Sequence, residues 1–110
     1  MLLYSYEESE VWDVEDLATK LAAMGHPTRL MILMELTKGE NYLSEIANKV
    51  GISRALAKVH LKKLREAGLV ESRVMVVEDE ARALRFYKIN EFEVSISPER
   101  LAEEVKEIGE

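Results

Sequence analysis

The chain has no cysteine and no glutamine. Without cysteine there can be no disulfide and no thiolate metal site. Missing glutamine beside dense charges of both signs fits a protein that avoids labile side chains and favours ion-pair networks, as thermophile proteins do. Also missing is any apolar run near the ~18 residues a membrane span needs. The N-terminus lacks the basic stretch and apolar stretch of a secretion signal, so the expected location is the cytoplasm. No internal repeat, low-complexity stretch or long linker interrupts the chain, and its 110 residues are expected to form one domain, 1–110. None of the seven serines has a His and an acid placed to activate it. An enzyme is therefore not expected.

What is present is an acidic chain with one basic exception. It carries 21 acidic and 15 basic residues, a formal net charge of -6. "EESEVWDVED" (7–16) has six acids and no base. Against that, "ISRALAKVHLKKLREAGLV" (52–70) holds Arg54, Lys58, Lys62, Lys63 and Arg65, with no acid before Glu66. A solvated helix face ordinarily mixes signs. A face of one sign asks for a partner of the other.

Capping residues and periodicity divide the chain into elements. Asp13 is a good N-cap for a first helix over 13–24, with Glu15 and Asp16 in its first turn and Trp12 and Leu17 at staple spacing. Val14, Leu17, Ala18, Leu21 and Ala22 mark one face. Gly25 stops this helix, and His26 with Pro27 starts the next. In "PTRLMILMEL", Leu30, Met31, Ile32, Leu33, Met34 and Leu36 cover more than one stripe, which predicts burial on several sides; Gly39 ends the helix. Ser44 is expected to cap a third helix, with Ile46, Ala47 and Val50 turned inward. Ser53 caps a fourth that runs to about Ala67, with Gly68 at C′.

The period then changes. "LVESRVMVV" (69–77) and "RALRFYKI" (82–89) are rich in β-branched and aromatic residues, with "EDEA" (78–81) as the turn between them. "EFEVSIS" (91–97) reads as a further short strand or an extended linker. Ser97 and Pro98 open a last helix over 97–109, with Leu101, Val105 and Ile108 on one side. The fold class is mainly α with a small β-hairpin (α+β).

Within this order, 44–67 has the layout of a helix-turn-helix and 69–89 that of a wing. Ala47 is small where the next helix must cross closely. Gly51 can take the positive φ of a tight turn. Ile52 plugs the corner and Ser53 starts the second helix. Ala57, Leu61 and Leu64 face the core, leaving Arg54, Ala55, Lys58, Lys62 and Arg65 outside, as in a recognition helix.

The segment "AMGHPTRLMIL…LSEIANKVGISRALAKVHLKKLREAGLVESR" resembles the ArsR-type family of winged helix-turn-helix repressors. The likeness spans about residues 18–89 and is strongest in "HPTRLMIL", "HLKKLREAGLV" and "RFYKI". It implies a homodimer that binds double-stranded operator DNA and is released by a signal. It also implies that the first and last helices build the dimer interface. Metal-sensing members carry a short cysteine motif where this chain has Tyr42 and Ser44, and others bind zinc through a last helix that here has no His. The family's metal function is not carried over; no metal and no cofactor are expected.

On this reading Arg54 and Lys58 reach base edges, Arg preferring guanine. Ala55 lies beside them, and Val59 can touch a thymine methyl. Lys62, Lys63 and Arg65 meet phosphates, as does Ser53 through its hydroxyl or backbone N–H. The wing turn is acidic, so wing contacts fall to Arg82 and Arg85. His60 reads as a packed histidine with one satisfied nitrogen, and His26 as a cap. Met24, Met31 and Met34 read as core filling near the interface, where a small effector could also bind. Glu103, Glu104 and Glu107 read as solvated. The alternative function is a winged-helix protein-interaction module in a multiprotein complex, which the net acidity and acidic wing keep open.

Overall fold

The computed structural model describes residues 13–77 and 82–107; the side chains of Val77, Arg82 and residues 104–107 lie outside that description. The expected Trp12–Leu17 staple, the acids of 7–12, the turn 78–81 and Ile108 lie outside it as well, as do the side chains of Glu104, Val105 and Glu107.

Helix α1 spans Val14–Met24, and the Asp13 carboxylate accepts from the backbone N–H groups of Glu15 and Asp16. The cap satisfies two of the amides a helix start leaves open. Helix α2, Pro27–Leu36, begins with His26 Nδ1 accepting from the Thr28 amide at 3.2 Å. It ends at Leu36 with Thr37 as C-cap, and Gly39 comes later in the turn. Strand β1 (Asn41–Tyr42) follows, then α3 (Leu43–Val50) and α4 (Arg54–Glu66). β2 (Val70–Val77) and β3 (Arg82–Ile89) form the hairpin, and α5 (Pro98–Glu107) is the last helix. Residues 91–97 form no strand and connect β3 to α5.

β1 was not legible in the sequence. Its two residues pair antiparallel with β3, Asn41 opposite Tyr87 and Tyr42 opposite Phe86, giving the sheet order β1-β3-β2. This pairing corrects the expected start of α3. It holds the backbone extended through Tyr42, so the helix starts at Leu43, Tyr42 is the N-cap without a side-chain bond, and Ser44 lies inside the helix.

The core collects Ile32, Leu33 and Leu36 of α2, Ile46 of α3, Leu61 and Leu64 of α4, then Leu69, Val70 and Tyr87. Burying such side chains stabilises by roughly 1.5–3 kcal/mol each. Helix α4 ends on Gly68 at φ 78°, with the Gly68 and Leu69 amides bonding back to the Arg65 and Leu64 carbonyls. This is the Schellman arrangement, and its left-handed residue suits glycine. The Asn90 side chain donates to the Gly68 carbonyl at 2.9 Å, fixing the wing to the end of α4.

The expected burial of α2 is corrected. Helix α2 is covered on one flank only. Leu30, Met31 and Met34 are 43%, 45% and 61% exposed, so Met31 and Met34 are not core filling; only Met24 packs against the core. The reason is that α1, α3 and α4 all pack on the flank that carries Ile32, Leu33 and Leu36. The stripe on α1, expected to serve the dimer interface, does face outward: Val14 and Leu21 are exposed, whereas Ala23 is the residue turned to the core.

Candidate nucleic-acid interface

The turn between α3 and α4 fixes the angle of the outer helix. Gly51 sits at φ 85°, ψ 35°, and the Ala47 carbonyl accepts from both Gly51 (2.8 Å) and Ile52 (3.0 Å). A residue with a Cβ would be strained in this left-handed conformation. Ala47 is buried, and Ile52 packs against the core from the corner. Ser53 Oγ then accepts from the Leu56 amide at 3.1 Å, capping α4. The cap uses the serine oxygen as acceptor and leaves its proton available to donate.

Helix α4 divides cleanly. Ala57, His60, Leu61 and Leu64 are buried, while Arg54, Ala55, Lys58, Val59, Lys62, Lys63 and Arg65 are exposed. Leu56, which the sequence reading left aside, is exposed beside them. Elsewhere five of the described cations pair with a carboxylate: Lys20 with Asp16 at 2.7 Å, Lys38 with Glu35 at 3.2 Å, Lys49 with Glu45 at 3.9 Å, Arg73 with Glu40 at 2.7 Å and Lys88 with Glu71 at 3.5 Å. Among the described residues, Arg54, Lys58, Lys62, Lys63 and Arg65 have no carboxylate partner. The basic face is therefore an uncompensated field within an acidic chain.

The wing joins this face at one point. Arg65 Nη1 donates to Ser72 Oγ at 3.1 Å, and Arg85 Nη1 donates to the same oxygen at 3.3 Å. Sequence reasoning singled out both arginines and missed Ser72. A serine between Glu71 and Arg73 carries no linear sign that two guanidinium groups will meet on it. Arg82 opens β3 opposite Val77. On β2, Val74, Met75 and Val76 are exposed, which the hairpin's composition alone did not reveal.

Behind the basic face the two histidines meet, although they lie on separate elements and far apart in sequence. Their ring centroids are 4.6 Å apart. Arg29 of α2 donates from Nε to His60 Nδ1 at 3.1 Å and from Nη1 to the Ala23 carbonyl at 3.3 Å. Burial, then the charges of His26 and Arg29, push the His60 imidazole below its usual value near 6.5. A neutral ring with Nδ1 as acceptor fits that environment. Tyr42 stacks tilted on Phe86 at 5.5 Å and Ser44 lies within α3. Among the described residues no group of three or more His, Cys, Asp or Glu comes together as a metal site. No described helix is long and apolar enough to cross a membrane.

Comparison with known proteins agrees with this geometry. The family model of bacterial regulatory proteins of the arsR family matches residues 26–72. An HTH-type transcriptional regulator of Methanocaldococcus jannaschii is 38% identical over 77 residues, covering 70% of this chain and 79% of that protein. The homodimeric winged helix-turn-helix DNA-binding domain of a possible ArsR-family regulator from Mycobacterium bovis superposes with a TM-score of 0.62 at 27% identity, covering 81% of this chain and 75% of that one. The transcriptional repressor BigR from Xylella fastidiosa gives 0.60 at 28% identity, with 83% of each chain covered. The chain thus belongs to the ArsR family of bacterial regulatory proteins and is a winged helix-turn-helix transcriptional regulator.

Proposed function

We propose that this chain acts as a homodimeric repressor that lays α4 in the major groove of operator DNA. The observation that carries the reading is that the five cations of α4 have no carboxylate partner among the described residues, whereas Lys20, Lys38, Lys49, Arg73 and Lys88 each have one. Arg54 and Lys58, one turn apart near the start of α4, read base edges; Ala55 and Val59 lie close beside them, Val59 meeting a thymine methyl. Lys62, Lys63 and Arg65 grip phosphates farther along, Ser53 donates to one at the helix start, and Arg82 and Arg85 extend the contact from the wing.

Dimerisation rests on the exposed apolar residues of α1, α2 and α5, namely Val14, Leu21, Leu30, Met31, Met34 and Leu101. A second copy would cover them. The chain works as one domain in the cytoplasm and performs no catalysis. A small effector that fits among the methionines of α2 would reach the dimer face directly.

The competing reading, a protein-interaction module, draws on the exposed Val74, Met75 and Val76 of the wing. A salt-titrated binding measurement on a pool of genomic duplexes separates the two. Repressor action requires enrichment of particular duplexes and a steep loss of affinity with salt. Weak binding without sequence preference would favour the protein module.

A further inference from the structure

Two arginines from different elements converge on one hydroxyl where α4 meets the wing. Arg65 lies in the last turn of α4, Arg85 in β3, and both donate to Ser72 Oγ, at 3.1 Å and 3.3 Å. Ser72 stands opposite Tyr87 in the hairpin, and Val74 stands opposite Arg85. Tyr87 is buried, and that burial raises its phenol while the charges of Arg85 and Arg65 pull the other way. Both guanidinium groups therefore sit over the same small area of the sheet.

Among the described residues no counter-charge is supplied to them. Glu71 and Arg73 flank Ser72 in the strand and alternate to the opposite sheet face. There Glu71 is taken by Lys88 and Arg73 by Glu40. Among the described residues neither Arg65 nor Arg85 reaches a carboxylate. A serine oxygen has two lone pairs and can accept both donors, but it is neutral. Two like charges are held together by an acceptor that offsets neither. An anion with several oxygens removes that tension, and the guanidinium fork matches phosphate geometry.

We propose that Arg65 and Arg85 form a single clamp for one backbone phosphate of the DNA, at the junction of recognition helix and wing, with Ser72 as the positioning residue. The proposal rests on the DNA-binding reading and adds two things to it. The arginines act on the same phosphate rather than on separate ones. Ser72, which carries no charge, sets their orientation before DNA arrives, so less side-chain freedom is lost on binding. The clamp locks the reach of the wing to the register of α4, which is how phosphate contacts serve sequence reading.

The test is equilibrium binding of the full chain, across a salt titration, to a duplex that the unaltered protein enriches from a random-sequence pool. Arg65→Gln and Arg85→Gln are each expected to lower the log–log salt slope by less than about 1 per subunit, because the other arginine still holds the phosphate, and the double variant by about 1 in all. A double variant that lowers the slope by about 2 per subunit would mean two separate phosphates and overturn the clamp. Ser72→Ala is expected to weaken binding roughly two- to tenfold with the thermal midpoint and salt slope unchanged, and Ser72→Thr to restore it. Ser72→Ala binding as well as the unaltered chain would remove its positioning role. Failure of the unaltered chain to enrich any duplex is a different outcome, and it would overturn the DNA reading and the clamp together.

Discussion

Helices α2 and α4 both leave a face uncovered, and the two faces differ in kind. On α2 the exposed apolar side chains are Leu30, Met31 and Met34, and α1 exposes Val14 and Leu21 as well. On α4 they are Arg54, Lys58, Lys62, Lys63 and Arg65, all of one sign. Each helix also has an inner face of ordinary core residues: Ile32, Leu33 and Leu36 in one, Ala57, Leu61 and Leu64 in the other. The difference assigns partners by physical chemistry. Apolar surface is stabilised by leaving water, which suits another copy of the chain. Unpaired cations are stabilised by anions, and a duplex supplies these densely.

The largest effect is expected on the apolar side. Met31→Asp with Met34→Asp would bury unpaired carboxylates in the proposed dimer face. Light scattering at micromolar concentration should change from dimer to monomer, and DNA affinity should fall at least a hundredfold, since each subunit then holds one half-site alone. A dimer that survives both substitutions would move the interface away from α2.

On the basic side, Arg54→Ala is expected to cost about 1–3 kcal/mol at its cognate base pair and to relax preference there. Competition between duplexes differing at single positions measures this, and the dimer should be unaffected. A loss spread evenly over all sequences would make Arg54 a phosphate contact instead.

Between the two faces lies His60, and it titrates. Its folded pKa is lowered, so as pH falls below about 6.5 the unfolded chain takes up this proton before the folded chain does. Stability should therefore be full above that pH and decline below it. A protonated Nδ1 could no longer accept from Arg29, and the ring would face a second cation. Thermal melting from about pH 7.5 to 5.5 should show a steeper loss for the natural chain than for His60→Gln, which keeps an acceptor without the charge. Equal slopes would mean that His60 is not the titrating group.

Lys62→Ala should give the smallest effect. It is expected to weaken all duplexes alike, lower the salt slope by about 1 per subunit, and leave sequence preference intact.

Much of this comparison could be read from the sequence, and what could not has physical reasons. The inner and outer faces of α4 follow from helical spacing, and Gly51, Ser53 and Gly68 mark its boundaries through backbone chemistry. Asp13, His26 and Pro27 do the same for α1 and α2. Strand β1 escaped because two residues carry no period; only their pairing with Phe86 and Tyr87 makes them a strand. The Ser44 cap failed for the same cause, since that pairing sets where the turn can begin. On α2 an apolar residue looks the same whether its own chain or another covers it, so Met31 and Met34 read as core. The contact of His26 with His60, and of Arg65 and Arg85 with Ser72, depends on how elements meet. No linear spacing encodes that.

The central claim is that the unpaired cations of α4 face DNA while the apolar face of α2 holds the dimer. Arg54→Glu combined with Lys58→Glu tests it most directly, with DNA affinity and oligomeric state measured on the same sample. Affinity for the enriched duplex should drop by at least about 30-fold, as two lost base contacts of about 1–3 kcal/mol each would require, while light scattering still reports a dimer. Unchanged affinity with an intact dimer would contradict the assignment of α4 and leave the protein-interaction reading in its place.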